Sequence, residues 1–267
     1  NIDVVDLDRD GDLDVLGVAN TGDELAWWEN TATFSFDPTW TSNLITTSAS
    51  GAMSVFAADI DGDGDMDIIS ASKLDDTIAW YENSGGPFWS ASTITTSADG
   101  AFSVFAADMD NDGDMDVLSA SDIDDTIAWY ENDGAANPSW TASNIDTNAD
   151  GAKSVFAADM DNDGDMDILS ASMNDDTIAW YESDGAANPS WTASNIDTNA
   201  DSARSVFAAD IDGDGDLDII SASYSDSTIT WYETSAIPEF SNIMMPIVSV
   251  LAIVGLNYRR RKINLDE

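Results

Sequence analysis

The chain has 267 residues, with 52 acidic against 8 basic side chains, a formal net charge of −44, and neither Cys nor His. That balance excludes nucleic-acid binding, which needs Lys and Arg to neutralise phosphates, and docking on an anionic membrane by charge attraction. The missing residues exclude disulfides, thiol chemistry and every Ser-His or Cys-His nucleophile, while 43% hydrophobic residues support a packed domain whose natural partners are cations.

The chain opens inside a repeat: Asp3 to Asn30 is a diverged first copy with no initiator Met or signal peptide before it, so the chain is expected to be the C-terminal part of a longer protein. Ser54-Val55-Phe56-Ala57-Ala58-Asp59 then recurs at Ser103 to Asp108, Ser154 to Asp159 and Ser205 to Asp210, a period of about 50 residues. Each unit continues with an Asp-rich loop, an apolar run such as Asp67-Ile68-Ile69-Ser70-Ala71-Ser72, a turn, Thr77-Ile78-Ala79-Trp80-Tyr81-Glu82, and a segment like Trp140-Thr141-Ala142-Ser143-Asn144-Ile145.

Short β-branched and aromatic runs separated by Gly, Asn and Asp turns predict an all-β fold, a β-propeller of four-stranded blades. The repeats divide the chain at 1–49, 50–98, 99–149, 150–200 and 201–235, the last with only three strands. Both faces of Thr77 to Glu82 are apolar, as in a blade buried on two sides, and the small Ala57-Ala58 pair suits a crowded innermost strand. The repeated Trp-Tyr-Glu is expected to pack between blades rather than to stack on sugars.

Five loops share one spacing, with Asp at positions 1, 3, 5, 7 and 9 and Gly at 6. They are Asp6, Asp8, Asp10, Asp12 and Asp14; Asp59, Asp61, Asp63, Asp65 and Asp67; Asp108, Asp110, Asp112, Asp114 and Asp116; Asp159, Asp161, Asp163, Asp165 and Asp167; and Asp210, Asp212, Asp214, Asp216 and Asp218. Alternate carboxylates on a tight turn converge to supply the six to eight oxygens that Ca²⁺ takes at about 2.3–2.6 Å. On this reading Asp59, Asp61, Asp63 and Asp67 give side-chain oxygens and Asp65 a backbone carbonyl, with Gly64 allowing the turn. An EF-hand opens the same way but needs a Glu at position 12, where this chain has Gly17, Ser70, Ser119, Ser170 and Ser221. Position 9 is therefore expected to close the coordination shell, with about one Ca²⁺ per loop.

From Asn1 to about Ser235 these loops and units resemble the FG-GAP and VCBS repeats of integrin-α-like propellers. The resemblance implies a Ca²⁺ in the first hairpin of each blade, a ring of about seven blades completed by upstream sequence, and a role in recognition or adhesion at the cell surface.

Beyond a linker at 236–242, residues 243–258 form an apolar stretch expected to be a transmembrane or sorting helix, followed by a basic tail at 259–267. Basic residues after the only such stretch predict a cytoplasmic C-terminus and a propeller outside. The motif Pro238-Glu239-Phe240, the apolar stretch and the basic cluster together resemble the PEF-CTERM sorting signal of archaeal surface proteins. That resemblance implies an archaeosortase-type processing enzyme as a partner; the alternative is a retained membrane anchor.

The functional expectation is a non-enzymatic, calcium-binding surface module that recognises a glycan or a protein ligand. The alternatives are a polysaccharide-acting enzyme, or its accessory domain, and a passive surface-layer component. Turn acids such as Asp75-Asp76, Asp124-Asp125 and Asp175-Asp176 recur with the repeat and nominate no catalytic pair.

Overall fold

The computed structural model describes residues 1–31, 39–85 and 88–234, with the backbone of 259–264. Among the described residues the fold is all-β without a helix, built from five four-stranded antiparallel sheets. Pro238, Glu239, Phe240 and the stretch 243–258 lie outside the described residues; within them no helix is long and apolar enough to cross a membrane.

Each sheet is a meander of consecutive strands. The first holds β1 (Ile2–Val5), β2 (Asp14–Ala19), β3 (Glu24–Asn30) and β4 (Trp40–Thr46), and the second β5 (Ala52–Ala58), β6 (Asp67–Ser72), β7 (Thr77–Asn83) and β8 (Trp89–Thr95). The third holds β9 (Ala101–Ala107), β10 (Asp116–Ser121), β11 (Thr126–Asn132) and β12 (Trp140–Asp146). The fourth holds β13 (Ala152–Ala158), β14 (Asp167–Ser172), β15 (Thr177–Ser183) and β16 (Trp191–Asp197). The fifth holds β17 (Ala203–Ala209), β18 (Asp218–Ser223), β19 (Thr228–Glu233) and β20 (Arg259–Asn264).

The last strand departs from the sequence reading, which assigns Arg259–Asn264 to a tail. The structure instead sets this segment against β19, in register from Thr228↔Asn264 to Glu233↔Arg259. An open strand edge presents unpaired N–H and C=O groups, and this pairing satisfies them.

Every substantial contact between sheets joins neighbours in the chain, with first strand packed on first strand from β1 through β5, β9 and β13 to β17. The short Ala pairs make that approach close, and Phe56, Phe105, Phe156 and Phe207 stack across it with ring centroids 4.5, 4.9 and 4.8 Å apart. The second strands β6, β10 and β14 are buried along their whole length, whereas β8, β12 and β16 are mostly exposed. That gradient explains the sequence: continuous apolar runs where both faces are covered, Ser, Thr and Asn where solvent reaches.

The Trp-Tyr-Glu motif packs as expected, with Trp80, Trp129, Tyr81, Tyr130 and Tyr181 all buried. Burying a tyrosine requires a partner for its hydroxyl. Tyr181 OH donates to Asp146 Oδ2 of the preceding sheet at 3.0 Å, and Tyr232 OH to Asp197 at 2.9 Å, so the motif ties sheets as well as filling them.

Candidate metal centre

Each Asp loop joins the first strand of a sheet to the second, so all five stand at the same end of their sheets. The glycine at position 6 takes a left-handed conformation in every one, φ +93 to +100 at Gly64, Gly11, Gly164, Gly113 and Gly215, a turn that side chains with a Cβ resist. The turn is stitched internally: in the third loop the Gly113 N–H donates to Asp108 Oδ2 at 3.0 Å and the Asp114 N–H to Asp112 Oδ1 at 3.0 Å.

This geometry gathers the carboxylates of positions 1, 3 and 5. Asp6, Asp8 and Asp10 each offer an oxygen within 4.8 Å of the others, and so do Asp59, Asp61 and Asp63; Asp108, Asp110 and Asp112; Asp159, Asp161 and Asp163; and Asp210, Asp212 and Asp214. Oxygens on opposite sides of a Ca²⁺ with bonds of about 2.4 Å lie about 4.8 Å apart, so the triplets have the size of a Ca²⁺ shell. The donor set fits too. It is oxygen only, and Asp6 Oδ1 and Asp59 Oδ1 are buried without a hydrogen-bond partner, which costs free energy unless a cation meets them. Burial, reinforced by neighbouring carboxylates, pushes Asp8, Asp61, Asp110 and Asp161 above the usual carboxylate range.

Position 9 has a second occupation that its spacing did not reveal. Asp67 begins β6 fully buried; its Oδ2 accepts from the Ile60 N–H at 3.2 Å and its Oδ1 from the Asn83 N–H at 2.7 Å. Asp116 does the same with Met109 at 3.1 Å and Asn132 at 2.8 Å, Asp167 with Met160 at 3.2 Å and Ser183 at 2.8 Å, and Asp14 with Leu7 and Asn30. Asp218 accepts from Ile211 and Thr234. This carboxylate fastens the loop to the end of the third strand. Burial raises Asp67, Asp116 and Asp167 to about 7 despite these amides. Each oxygen keeps a lone pair, so the staple and a metal bond are compatible.

Position 7 turns outward to the neighbouring sheet. Arg9 pairs with Asp65 at 2.9 Å, Asn111 donates to Asp165 at 2.8 Å and Asn162 to Asp216 at 3.3 Å, linking position 4 of one loop to position 7 of the next. Asp12 and Asp114 also stand outside the three-carboxylate groups. Sequence reasoning missed these links and the asparagines closing β7 and β11: Asn132 Nδ2 donates to Ile60 O at 2.8 Å and Met115 O at 3.0 Å, and Asn83 reaches Met66 O at 3.1 Å. Their recurrence one residue after Trp-Tyr-Glu was the available signal.

At the other end of the sheets the turn acids also serve backbone amides. Asp76, Asp125 and Asp176 accept from Gly100, Gly151 and Ser202 N–H of the following sheet at 2.9, 2.8 and 2.8 Å.

Stacked four-stranded sheets with one acidic hairpin loop apiece define an all-β repeat protein carrying a candidate cation site in every repeat. The FG-GAP-like repeat signature matches residues 6–70, 59–119, 109–170 and 159–221, and the chain belongs to that family. No curated protein sequence matches it.

Solved structures share the fold at low identity. A functionally unknown protein from Desulfotomaculum acetoxidans aligns at TM-score 0.58 and 13% identity over 83% of this chain and 62% of its own. The V. cholerae biofilm matrix protein Bap1 aligns at TM-score 0.53 and 19% identity, over 87% of this chain and 37% of its own. A putative 6-phosphogluconolactonase from Bacteroides uniformis aligns at TM-score 0.58 and 14% identity, over 87% and 66%. The chain thus spans less than two thirds of each of these proteins.

Proposed function

We propose that the chain is a run of calcium-stapled β-propeller blades, exported to the cell surface and used there for adhesion or recognition rather than catalysis. The observation that carries the calcium reading is the recurrence of one three-carboxylate cluster, within 4.8 Å, at the same hairpin of all five sheets. Positions 1, 3, 5 and 9 would hold the ion with a backbone carbonyl from position 7. The bound charge would offset the repulsion that these loops otherwise carry on a chain of net charge −44.

The propeller reading is supported by first strands that pack in chain order and by apolar side chains left exposed at both ends of the stack, Ile2 and Val4 on the first sheet and Phe207 on the fifth. Those faces suit further blades closing a ring. A place outside the cell accords with the biofilm matrix protein among the structural neighbours and with the sorting-type tail at 236–267. Anchoring through 243–258 would put Arg259–Lys262 across the membrane from β19, so the strand pairing and the anchored state are alternative placements of one segment.

The test is a calcium titration of the full chain by calorimetry, with thermal melting in calcium and in EDTA. About five ions per chain and a lower melting temperature in EDTA are expected. Absence of binding overturns the calcium reading.

A further inference from the structure

The second to fifth repeats resemble one another closely, and the first departs from them where its sheet meets the second. At that junction, toward the Asp-loop end, lies a cavity of about 370 Å³ lined by Trp27, Glu29, Asn43, Leu44 and Trp89. Sites for small ligands begin at about 300 Å³.

Side chains alternate along a strand, so Trp27 and Glu29 of β3 share a face, and the ladder sets Asn43 of β4 opposite Trp27. Asn43 Nδ2 donates to Glu29 Oε2 at 3.4 Å. In the next three sheets the residue opposite the tryptophan is Ser92, Ser143 or Ser194. The residue after it is Thr93, Asn144 or Asn195, where the first sheet has Leu44, an apolar side chain left 58% exposed. Both substitutions peculiar to the first sheet therefore line the cavity.

The tryptophan differs as well. Trp80, Trp129 and Trp180 are at most 7% exposed, each packed in the core between its own sheet and the next. Trp129 meets Trp191 edge to face with ring centroids 6.5 Å apart. Trp27, facing the second sheet in the same way, is only half-buried. The link that leads into the covering tryptophan is 84–88 in the second sheet, two residues shorter than 133–139 and 184–190 in the third and fourth.

Every charged side chain lining the cavity is acidic, which repels an anionic ligand. Two of these carboxylates are already engaged: Asp65 pairs with Arg9 at 2.9 Å, and Asp8 accepts from the Asp10 N–H at 3.2 Å inside the first metal loop. What remains is an acceptor and a donor, Glu29 and Asn43, between two indoles. A pyranose ring matches that set, with an apolar C–H face for an indole and hydroxyls that donate to a carboxylate and accept from an amide.

Resting on the surface-recognition reading above, we infer that this cavity is a glycan site and that its ligand is a neutral hexose unit of a polysaccharide. The wall formed by β4 is mostly exposed, so a sugar within a longer polymer reaches the site from the side.

The experiment is binding of the full chain, in calcium, to immobilised dextran, mannan and galactan, with polygalacturonate as the anionic polysaccharide. Binding to at least one neutral polymer is expected, competed by its own monosaccharide and insensitive to salt, with none to polygalacturonate. Trp27→Ala should weaken it about tenfold, the loss of one stacking face. Asn43→Ser should weaken it about fivefold, the loss of one hydrogen bond. Asn43→Ser installs the residue that three other sheets carry, so its calcium titration and melting should match wild type, and it decides the matter if Trp27→Ala fails to fold. No binding to any of the three neutral polymers, or equal binding to polygalacturonate, overturns the proposal. Binding that Asn43→Ser and a folded Trp27→Ala leave unchanged also overturns it, while the surface-recognition reading stands with its site elsewhere.

Discussion

The two rims of the sheet stack handle repetition in opposite ways. On one rim the loops at Asp59, Asp108, Asp159 and Asp210 share the Asp spacing and its glycine, because each must solve the same local problem of turning a chain while gathering carboxylates. On the other rim the constant residues are those that accept or donate backbone bonds, such as Asp76, Asp125 and Asp176, while the bulge and turn positions between them change at every repeat. Constancy here marks work done within each sheet or between adjacent ones. Variation falls at the bulge and turn positions, which hold the cations Lys73, Lys153 and Arg204, and there Lys73 and Lys153 of the second and fourth sheets both pair with Asp122 of the third.

If the constant rim is a set of metal staples, removing the metal has the largest effect of any single treatment. A site filled at a hundred times its dissociation constant contributes about 2.7 kcal/mol, so five comparable sites contribute on the order of 10 kcal/mol. Thermal melting with and without EDTA should show a drop of that scale. A melting temperature indifferent to chelation breaks the comparison at its first term.

The next effect down separates the staple from the metal. Asp116→Ala leaves the buried Met109 and Asn132 amides without their acceptor, at about 1–3 kcal/mol each, so a loss of about 2–6 kcal/mol by denaturant unfolding is expected even in EDTA. Asp116→Asn, with one acceptor left, should recover about half. On the opposite rim Asp125→Ala frees a single amide, that of Gly151, and should cost about 1 kcal/mol. Equal losses at Asp116 and Asp125 would mean that the loop carboxylate matters no more than a turn cap.

Much of this arrangement was legible in the sequence, because a period makes it so. The strands β5 to β19, the loop spacing and the burial of Trp80 and Tyr81 all follow from side-chain alternation and from what Asp-rich turns with a glycine can do. Partners across sheets were not legible. Periodicity says that Asp67, Asp76 or Asn132 recurs, but not that its side chain meets a backbone group up to 72 residues away in sequence. The bulge at Phe102 was hidden for a related reason: alternation predicts which face a residue takes only while the register holds, and there it slips. The pairing of Arg259–Asn264 with β19 had no signal at all, since neither alternation nor the repeat extends to that segment.

The smallest effect concerns the chain of links along the constant rim, which has a gap. Arg9 at position 4 reaches Asp65, Asn111 reaches Asp165 and Asn162 reaches Asp216, but the second loop has Gly62 at that place, opposite Asp114 of the third. Gly62 has φ +71, and Arg9, Asn111 and Asn162 hold the same left-handed conformation at φ 61. A Cβ at Gly62 would meet nothing within 4 Å. Gly62→Asn should therefore fit without displacement, restrict the unfolded chain and add a link to Asp114, for a gain of about 0.5 kcal/mol. Gly62→Ala, which pays for the left-handed backbone and makes no link, should instead lose about 1 kcal/mol. The sign of the difference between the two, read from paired urea melts, tests whether the inter-loop contacts couple neighbouring sheets or merely decorate them.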